Sequence, residues 1–508
     1  MEEVPSSVRT IIGVGTSVTA FVGRALKGST EEAIAIRSFA DYERLYGGLW
    51  TKSNMSYAVD QYLINGGKDA VILRVYHKCI SGETEVEGKA VFSRTDFEGV
   101  FKAANPGAWG KKLQIKISHD VDASLLSADK TLFNLAVTDM GSGQVETFLN
   151  ASTNPHSNRY VATLLEQESN LIRISPKSGA TSFDNEQPPA DAGSTAFALQ
   201  DGTASDGDEL TSADVVNSLG KLEKVDLINL LCIPSFKDNA SIADRKAAYA
   251  EALSYCKRKR AILIVDPPES WVDKDDAANG IDAVGDEKYV ERRENAAIYF
   301  PRIMAPDSLN GNRLRAFDPC GAVAGVIART DSQRGVWKAP AGMEATLLGI
   351  ADLQVQLTDS ENGELNTLGI NCLRLMPIAG LVVRGARTMR GDDRLEDQWK
   401  YLPVRRTALY IEESLFRGTL WVVHEPNDER LWAQIRLNVG AFMHNLFRQG
   451  AFQGTAPKDA YFVKCDKETT TQYDIDRGIV NIVVGFAPLK PAEFVIIKIQ
   501  QIAEEGTP

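Results

Sequence analysis

The sequence predicts a multidomain α/β protein, and three observations carry that expectation. The chain has 508 residues, which at about 150 per domain makes roughly three units. From residue 212 onward strand and helix signals alternate, the pattern of a sheet covered by helices on both faces. Between about 80 and 185 the texture is different: short alternating runs separated by turn residues, which read as a β-rich domain.

Taken in order, residues 17–23 (Ser-Val-Thr-Ala-Phe-Val-Gly) read as a strand, β-branched and closed by glycine. Residues 38–46 read as a helix with Ser38 as N-cap, Asp41 at the capping-box position and Gly47-Gly48 as the stop. A second helix is expected over 55–64, ending at Asn65-Gly66-Gly67, and a strand over 70–76. In the β-rich stretch, 113–117 and 133–137 alternate apolar and polar residues as half-buried strands do. Residues 181–220 hold eight acidic residues and no Lys or Arg, the composition of a solvated linker. Beyond it we expect helices over 212–222, 242–257 and 321–328, with strands over 225–232, 261–265, 296–304, 380–384, 479–486 and 494–499.

Composition excludes several classes. Forty glycines and twenty prolines are near average usage, so the chain is neither collagen-like nor low-complexity. No apolar run approaches the roughly 20 residues of a membrane span. Met1-Glu2-Glu3-Val4-Pro5 lacks the basic and apolar regions of a signal peptide, so cytoplasmic assembly is expected. A net charge of -12 argues against a general nucleic-acid binder. The six cysteines are too scattered for a disulfide framework or a CxxC metal site.

The motifs that would carry chemistry are missing or incomplete. Gly13-Val14-Gly15 begins a GxGxxG pattern, but Val18 replaces the third glycine and β-branched residues follow, so a turn between strands is expected. There is no GxxxxGK[ST], GxSxG or HExxH. His77, His119, His156, His424 and His444 are never spaced as a helical metal pair. Asp266, after a predicted strand, stands where open α/β sheets bind ligands, although Asp-Pro is also ordinary turn chemistry. Together with the α/β alternation, it favours the alternative of an α/β hydrolase-type enzyme with a β accessory domain. No catalytic, cofactor-binding or metal residues are assigned.

The C-terminal third is basic. Residues 371–449 hold twelve basic and nine acidic residues in a chain that is acidic overall. Within it, 427–450 is the strongest helix signal, opened by acids, closed by Arg448 and Gly450, and striped by Leu431, Ile435, Val439, Phe442 and Leu446. Arg430, Gln434, Arg436 and Arg448 are expected to face away from that stripe. Phe494, Val495, Ile496, Ile497, Lys498 and Ile499 form a near-terminal strand that can pair within its own domain or be donated to a neighbour's sheet edge.

These residues resemble the contractile tail sheath proteins of phages and of phage-derived extracellular injection systems, nearly end to end. The likeness is strongest in Val4-Pro5-Ser6-Ser7-Val8-Arg9, residues 16–23, Tyr46-Gly47-Gly48, Asn65-Gly66-Gly67 and Asn105-Pro106-Gly107-Ala108-Trp109-Gly110. It continues through Trp337-Lys338-Ala339-Pro340-Ala341-Gly342, Tyr410-Ile411-Glu412-Glu413-Ser414, the helix to Gln449 and Asp476-Arg477-Gly478. Members of that family carry a longer N-terminal arm before the Glu-Glu-Val-Pro segment and often asparagine where Lys111 stands here.

The resemblance implies four segments: an N-terminal arm and β-α-α-β module (1–80), a β-rich insertion (81–200), an α/β domain of subtilisin-like shape (201–370) and a tube-facing α/β C-terminal domain with a terminal arm (371–508). It also implies a structural, non-enzymatic subunit without cofactors. Six copies would form a ring, and rings would stack helically around an inner tube, linked by arms that add strands to neighbouring sheets. Contraction would drive the tube through a target envelope. The implied partners are further copies, the inner tube protein, and baseplate and tail terminator or cap proteins, with no nucleic acid and no membrane insertion. The particle would be a phage tail or an injection machine released outside the cell. A static capsid or tube subunit is a third reading.

Overall fold

The computed structural model describes residues 9–81, 84–190, 197–198, 204–237, 241–285 and 288–493. The architecture is mixed α/β with several sheets. At its centre is an eight-stranded sheet made of β1 (Thr19–Gly23), β2 (Ile34–Ile36), β3 (Ala70–Arg74), β4 (Leu230–Cys232), β5 (Ile262–Val265), β6 (Ala296–Phe300), β7 (Ile370–Met376) and β8 (Gly380–Val383). The spatial order is β2-β3-β1-β4-β5-β6-β7-β8. The six inner strands are parallel, and β2 and β8 close the two edges antiparallel. Strands from the first 80 residues therefore share one sheet with strands from 230–383.

The inner strands are continuous apolar runs such as Ile262-Leu263-Ile264-Val265, because both faces are covered. One face packs on α1 (Phe39–Tyr46) and α2 (Asn54–Ile64), where Phe21, Tyr42, Tyr62, Ile264 and Val323 share a core. The other packs on α3 (Ser212–Leu219) and α4 (Ile242–Lys259), around Val215, Tyr249, Leu263 and Trp271. Ser38, Thr211 and Ser241 cap these helices, the last two in full capping boxes with Asp214 and Asp244. α5 (Cys320–Arg334) lies so close to α2 that a Cβ at Gly321 would stand 2.1 Å from the Ala58 carbonyl oxygen. Only glycine fits there.

Beyond β3 the chain enters a β-rich unit. Strands Leu113–Ser118, Leu132–Asp139 and Val145–Ser152 belong to a four-stranded sheet, and Val91–Ser93, Gly99–Ala103 and Ile172–Pro176 form a three-stranded one. Leu113, Ile115, Ile117, Phe133, Leu135 and Val137 turn inward, as alternation requires. Arg74, at the end of β3, is buried and donates to the carbonyls of Ala25 (3.0 Å), Gly28 (2.7 Å) and Pro106 (2.8 Å), tying the unit to the main sheet. The chain leaves and re-enters the main sheet at one place, where His77 and Asp208 form a β-bridge.

The last part holds α6 (Leu402–Gly418), α7 (Glu429–Arg448) and a two-stranded antiparallel sheet of β9 (Tyr461–Lys464) and β10 (Val483–Phe486) around a separate apolar cluster.

Four expectations are corrected. Gly13–Gly15 is not a turn between strands: among the described residues no strand precedes it. It lies along α6, where Val14 N donates to Ser414 Oγ (3.2 Å) and a Cβ at Gly13 would meet the Tyr410 hydroxyl at 1.9 Å. The strand expected over 296–304 is two, β6 and Ile303–Asp307 in another sheet, because Pro301 has no N–H for the ladder. The strand expected over 479–486 is confined to β10. The acidic stretch is not all solvated linker. Ala204 and Leu210 are buried, and Asp206 accepts from Ala108 N (2.9 Å).

Candidate functional site

The sheet reverses its winding between β1 and β4, where doubly wound folds open a ligand crevice. Here side chains close it. Buried Ser53 donates to the Arg24 carbonyl, and Asn54 joins the Ser235 carbonyl (3.0 Å) to Arg315 (2.7 Å). Arg24 lies 5.0 Å over the Trp50 ring and donates to the carbonyls of Asp206 (3.2 Å) and Gly207 (3.3 Å).

Asp266 is fully buried at the end of β5. Its Oδ1 accepts from Cys320 N (2.8 Å) at the start of α5, and its carbonyl accepts from the Tyr289 hydroxyl (2.7 Å). Burial, then the nearby Asp318 carboxylate, pushes its pKa well above the ordinary range. Arg245 and Arg302 approach Asp318 at 3.8 and 3.4 Å, completing a buried ionic cluster at the C-terminal ends of β4, β5 and β6. This carboxyl offers no atom to a substrate. The histidines are dispersed: His77 pairs with Asp214 (2.8 Å) and His444 with the Tyr461 hydroxyl (3.2 Å). No metal-ligand group occurs among the described residues.

The surfaces that remain are in the C-terminal part. α7 starts at the Asp428 cap and buries Leu431, Ile435, Val439, Phe442 and Leu446. Arg430, Leu437, Ala441, Asn445 and Arg448 are exposed on its opposite side, with Gln434 half-buried among them, at the three- and four-residue spacing of one stripe. Arg436 lies beside that stripe and turns aside, donating to Glu429 (2.7 Å) and to the Cys465 carbonyl.

Much of the basic surplus is engaged in ion pairs within the chain. Arg406 is buried and doubly bonded to buried Asp331 (2.8 and 2.5 Å), Arg394 reaches Asp282 (2.6 Å), and Arg417 reaches Glu413 (2.7 Å) and Asp226 (2.8 Å). Among the described residues, Arg430 and Arg448 form no ion pair.

The strand expected over 494–499 lies outside the described residues. Its root does not. Glu493 receives Arg387 Nε (2.7 Å) and Nη2 (2.6 Å), with the Tyr401 hydroxyl at 3.3 Å. Burial alone would raise the Glu493 pKa, but the Arg387 bonds and the charges of Arg387 and Lys400 hold it below the usual carboxylate range. Sequence reasoning missed this pair, because Arg387 and Glu493 are 106 residues apart and neither belongs to a motif.

β9 and β10 have no third strand among the described residues, and Phe462 and Val483 are exposed on them. Beside β10 runs a groove of about 460 Å³ lined by Ile411, Leu415 and Phe416 of α6, Val439 of α7, and Val484 and Phe486. Its walls are mainly apolar. No described helix is long and apolar enough to cross a membrane.

A search of curated proteins finds no match. Solved structures do match over nearly the whole chain. A chain of the anti-feeding prophage baseplate is 21% identical, with 99% of this chain and 98% of that one covered and a TM-score of 0.60. A chain of the PVC extracellular contractile injection system sheath complex in the contracted state is also 21% identical, covering 99% and 97% at 0.61. The sheath tail protein of Listeria innocua is 15% identical, covering 94% and 96% at 0.62. At such identities these likenesses establish the fold. The family profile of the phage tail sheath protein central domain matches residues 208–389, and that of the phage tail sheath C-terminal domain matches 396–502. Two profiles in their proper order, covering more than half of the chain, place it in the phage tail sheath family.

Proposed function

We propose that the chain is the structural subunit of a contractile sheath, polymerising as stacked hexameric rings around an inner tube and contracting to drive that tube through a target envelope. The ordered pair of sheath profiles is the observation that carries this reading. The main sheet is the part we equate with the domain of subtilisin-like shape, and the β-rich unit with the insertion. The exposed stripe of α7, with Arg430, Gln434 and Arg448, is the face we assign to the tube; Arg436 contributes by fixing the helix start. The subunit is assembled in the cytoplasm, meets baseplate and terminator or cap proteins at the sheath ends, and needs no cofactor.

The linkage between rings follows from edge chemistry. A two-stranded sheet leaves unpaired N–H and C=O groups along both edges. The segment 494–499 of a neighbouring copy is apolar and β-branched enough to add there, at ~0.5–1.5 kcal/mol for each net hydrogen bond. A handful of such bonds would hold rings together while other contacts slide.

Energy for contraction would reside in the assembly, an extended lattice relaxing to one with more buried apolar area at ~25 cal/mol per Å². The hydrolase alternative loses its only residue, since Asp266 is sealed. Negative-stain microscopy of the purified or co-expressed protein tests the proposal. Tubular polymers with a cogwheel profile are expected, and monomers or small closed oligomers alone would overturn it.

A further inference from the structure

The surroundings of Glu493 are built more heavily than an ordinary surface ion pair requires. The Arg387 side chain is fully buried and every one of its nitrogens is engaged. Beyond the two bonds to Glu493, its Nη1 donates to the carbonyls of Asn366 (2.7 Å) and Gly391 (2.9 Å) and to Asp393 Oδ1 (2.9 Å). Its backbone is also fixed. Arg387 N donates to Asn371 Oδ1 (2.7 Å), while Asn371 Nδ2 donates to the carbonyls of Arg387 (2.8 Å) and Ile298 (3.0 Å). Asn371 is in β7 and Ile298 in β6, so a continuous series of bonds runs from Glu493 into two strands of the main sheet.

The same point holds the segment that leads into α6. Lys400 Nζ donates to Asp393 (2.6 Å) and lies 3.8 Å from Glu493, whose Oε2 also accepts from Tyr401. The chain thus departs for α6, α7, β9 and β10 and returns to where it left. Between β10 and Glu493, residues Leu489, Lys490, Pro491 and Ala492 run along a groove of about 680 Å³ whose other side includes Trp337 and Arg384. That connecting stretch lines an open groove, whereas its end is clamped.

We propose that the Arg387 socket anchors the C-terminal arm to the eight-stranded sheet rather than to the two-stranded sheet it follows in sequence. The occupant beyond the anchor is a second copy of this chain, which takes up 494–499, so the inference rests on the donated-strand reading above. Pull from that copy passes through Glu493 and Arg387 into β7 and β6. β9 and β10 are left out of the path. Arg387 and Glu493 are positioning residues that set the origin of the arm.

The test compares full-length wild type with Glu493→Ala, Glu493→Gln and a chain ending at residue 493. Melting of the monomers reports folding. The protein concentration needed for sedimentable tubes, and the guanidinium concentration that dissolves them, report the linkage. Glu493→Ala is expected to melt within a few degrees of wild type yet to need roughly tenfold more protein to polymerise, the scale of losing one charge-assisted pair. Glu493→Gln, which keeps one acceptor, should fall between, and it carries the comparison if the alanine variant does not fold.

Wild-type assembly and dissolution in both Glu493 variants, with no tubes from the shortened chain, would overturn the anchor and leave the donated strand standing. Unchanged tubes from the shortened chain would remove the donated strand itself and the anchor with it.

Discussion

Asp266 and Glu493 are both inward-turned carboxyl groups, and their surroundings drive them in opposite directions. Asp266 is raised by burial and by Asp318, so its folded pKa exceeds the unfolded value of about 3.9. The native state then holds the proton more tightly, and this group's contribution to stability falls as pH rises above about 4. Asp266→Asn should melt like wild type near that pH and progressively higher than wild type as the pH is raised, as thermal melts across the range will record. Glu493 has its pKa held down, net, by Arg387 and Lys400 against the opposing effect of burial. Its contribution is fully present above the unfolded value of about 4.3 and is lost as pH falls through the depressed folded value. The melting difference between wild type and Glu493→Gln should therefore be constant at neutral pH and vanish on acidification. A pH-independent difference would mean that shape, not charge, holds the residue.

Among the elements, α7 carries the assignment most open to test. Arg430 and Arg448 lie on its exposed stripe free of ion pairs among the described residues, so reversing both to Glu should leave the monomer's melting unchanged. Assembly around the tube should weaken more than polymerisation of the sheath alone, and equal loss of both would remove the tube-facing assignment. Arg436→Glu should instead cost the monomer stability, on the order of 1 kcal/mol for a partly exposed pair, because it breaks the bonds to Glu429 and Cys465.

The elements also mark what could be read in advance. The start of α1 was legible because Ser38 bonds to the backbone of Asp41, three residues on. The apolar stripe of α7 was legible from its own spacing, as was the alternation of 113–117. The Arg387 socket, the fit of Gly13 on Tyr410 and the sealing of Asp266 depend on residues far away in sequence, and no local pattern encodes such meetings. Counting charges placed a basic surplus at 371–449 but could not reveal that Arg406 and Arg394 spend theirs on Asp331 and Asp282.

At the scale of the whole molecule, one large sheet organises three neighbours: two helical layers and the β-rich unit, with the C-terminal part joined at the Arg387 socket. The β-rich unit has its own core and both its ends at the His77–Asp208 bridge. Bridge partners stand about 5 Å apart, a gap that a few residues of flexible linker can close. Replacing residues 80–206 by a short Gly-Ser linker should leave the main sheet folded by circular dichroism. Its melting temperature should drop, since Arg74 would lose Pro106 and Lys27 would lose Asp139. An unfolded product would show that the sheet needs the unit for its own stability. If the sheet survives, the bridge serves as a graft junction: foreign domains whose termini lie equally close could be spliced in as interchangeable cartridges, giving the chain a display site that leaves its scaffold untouched.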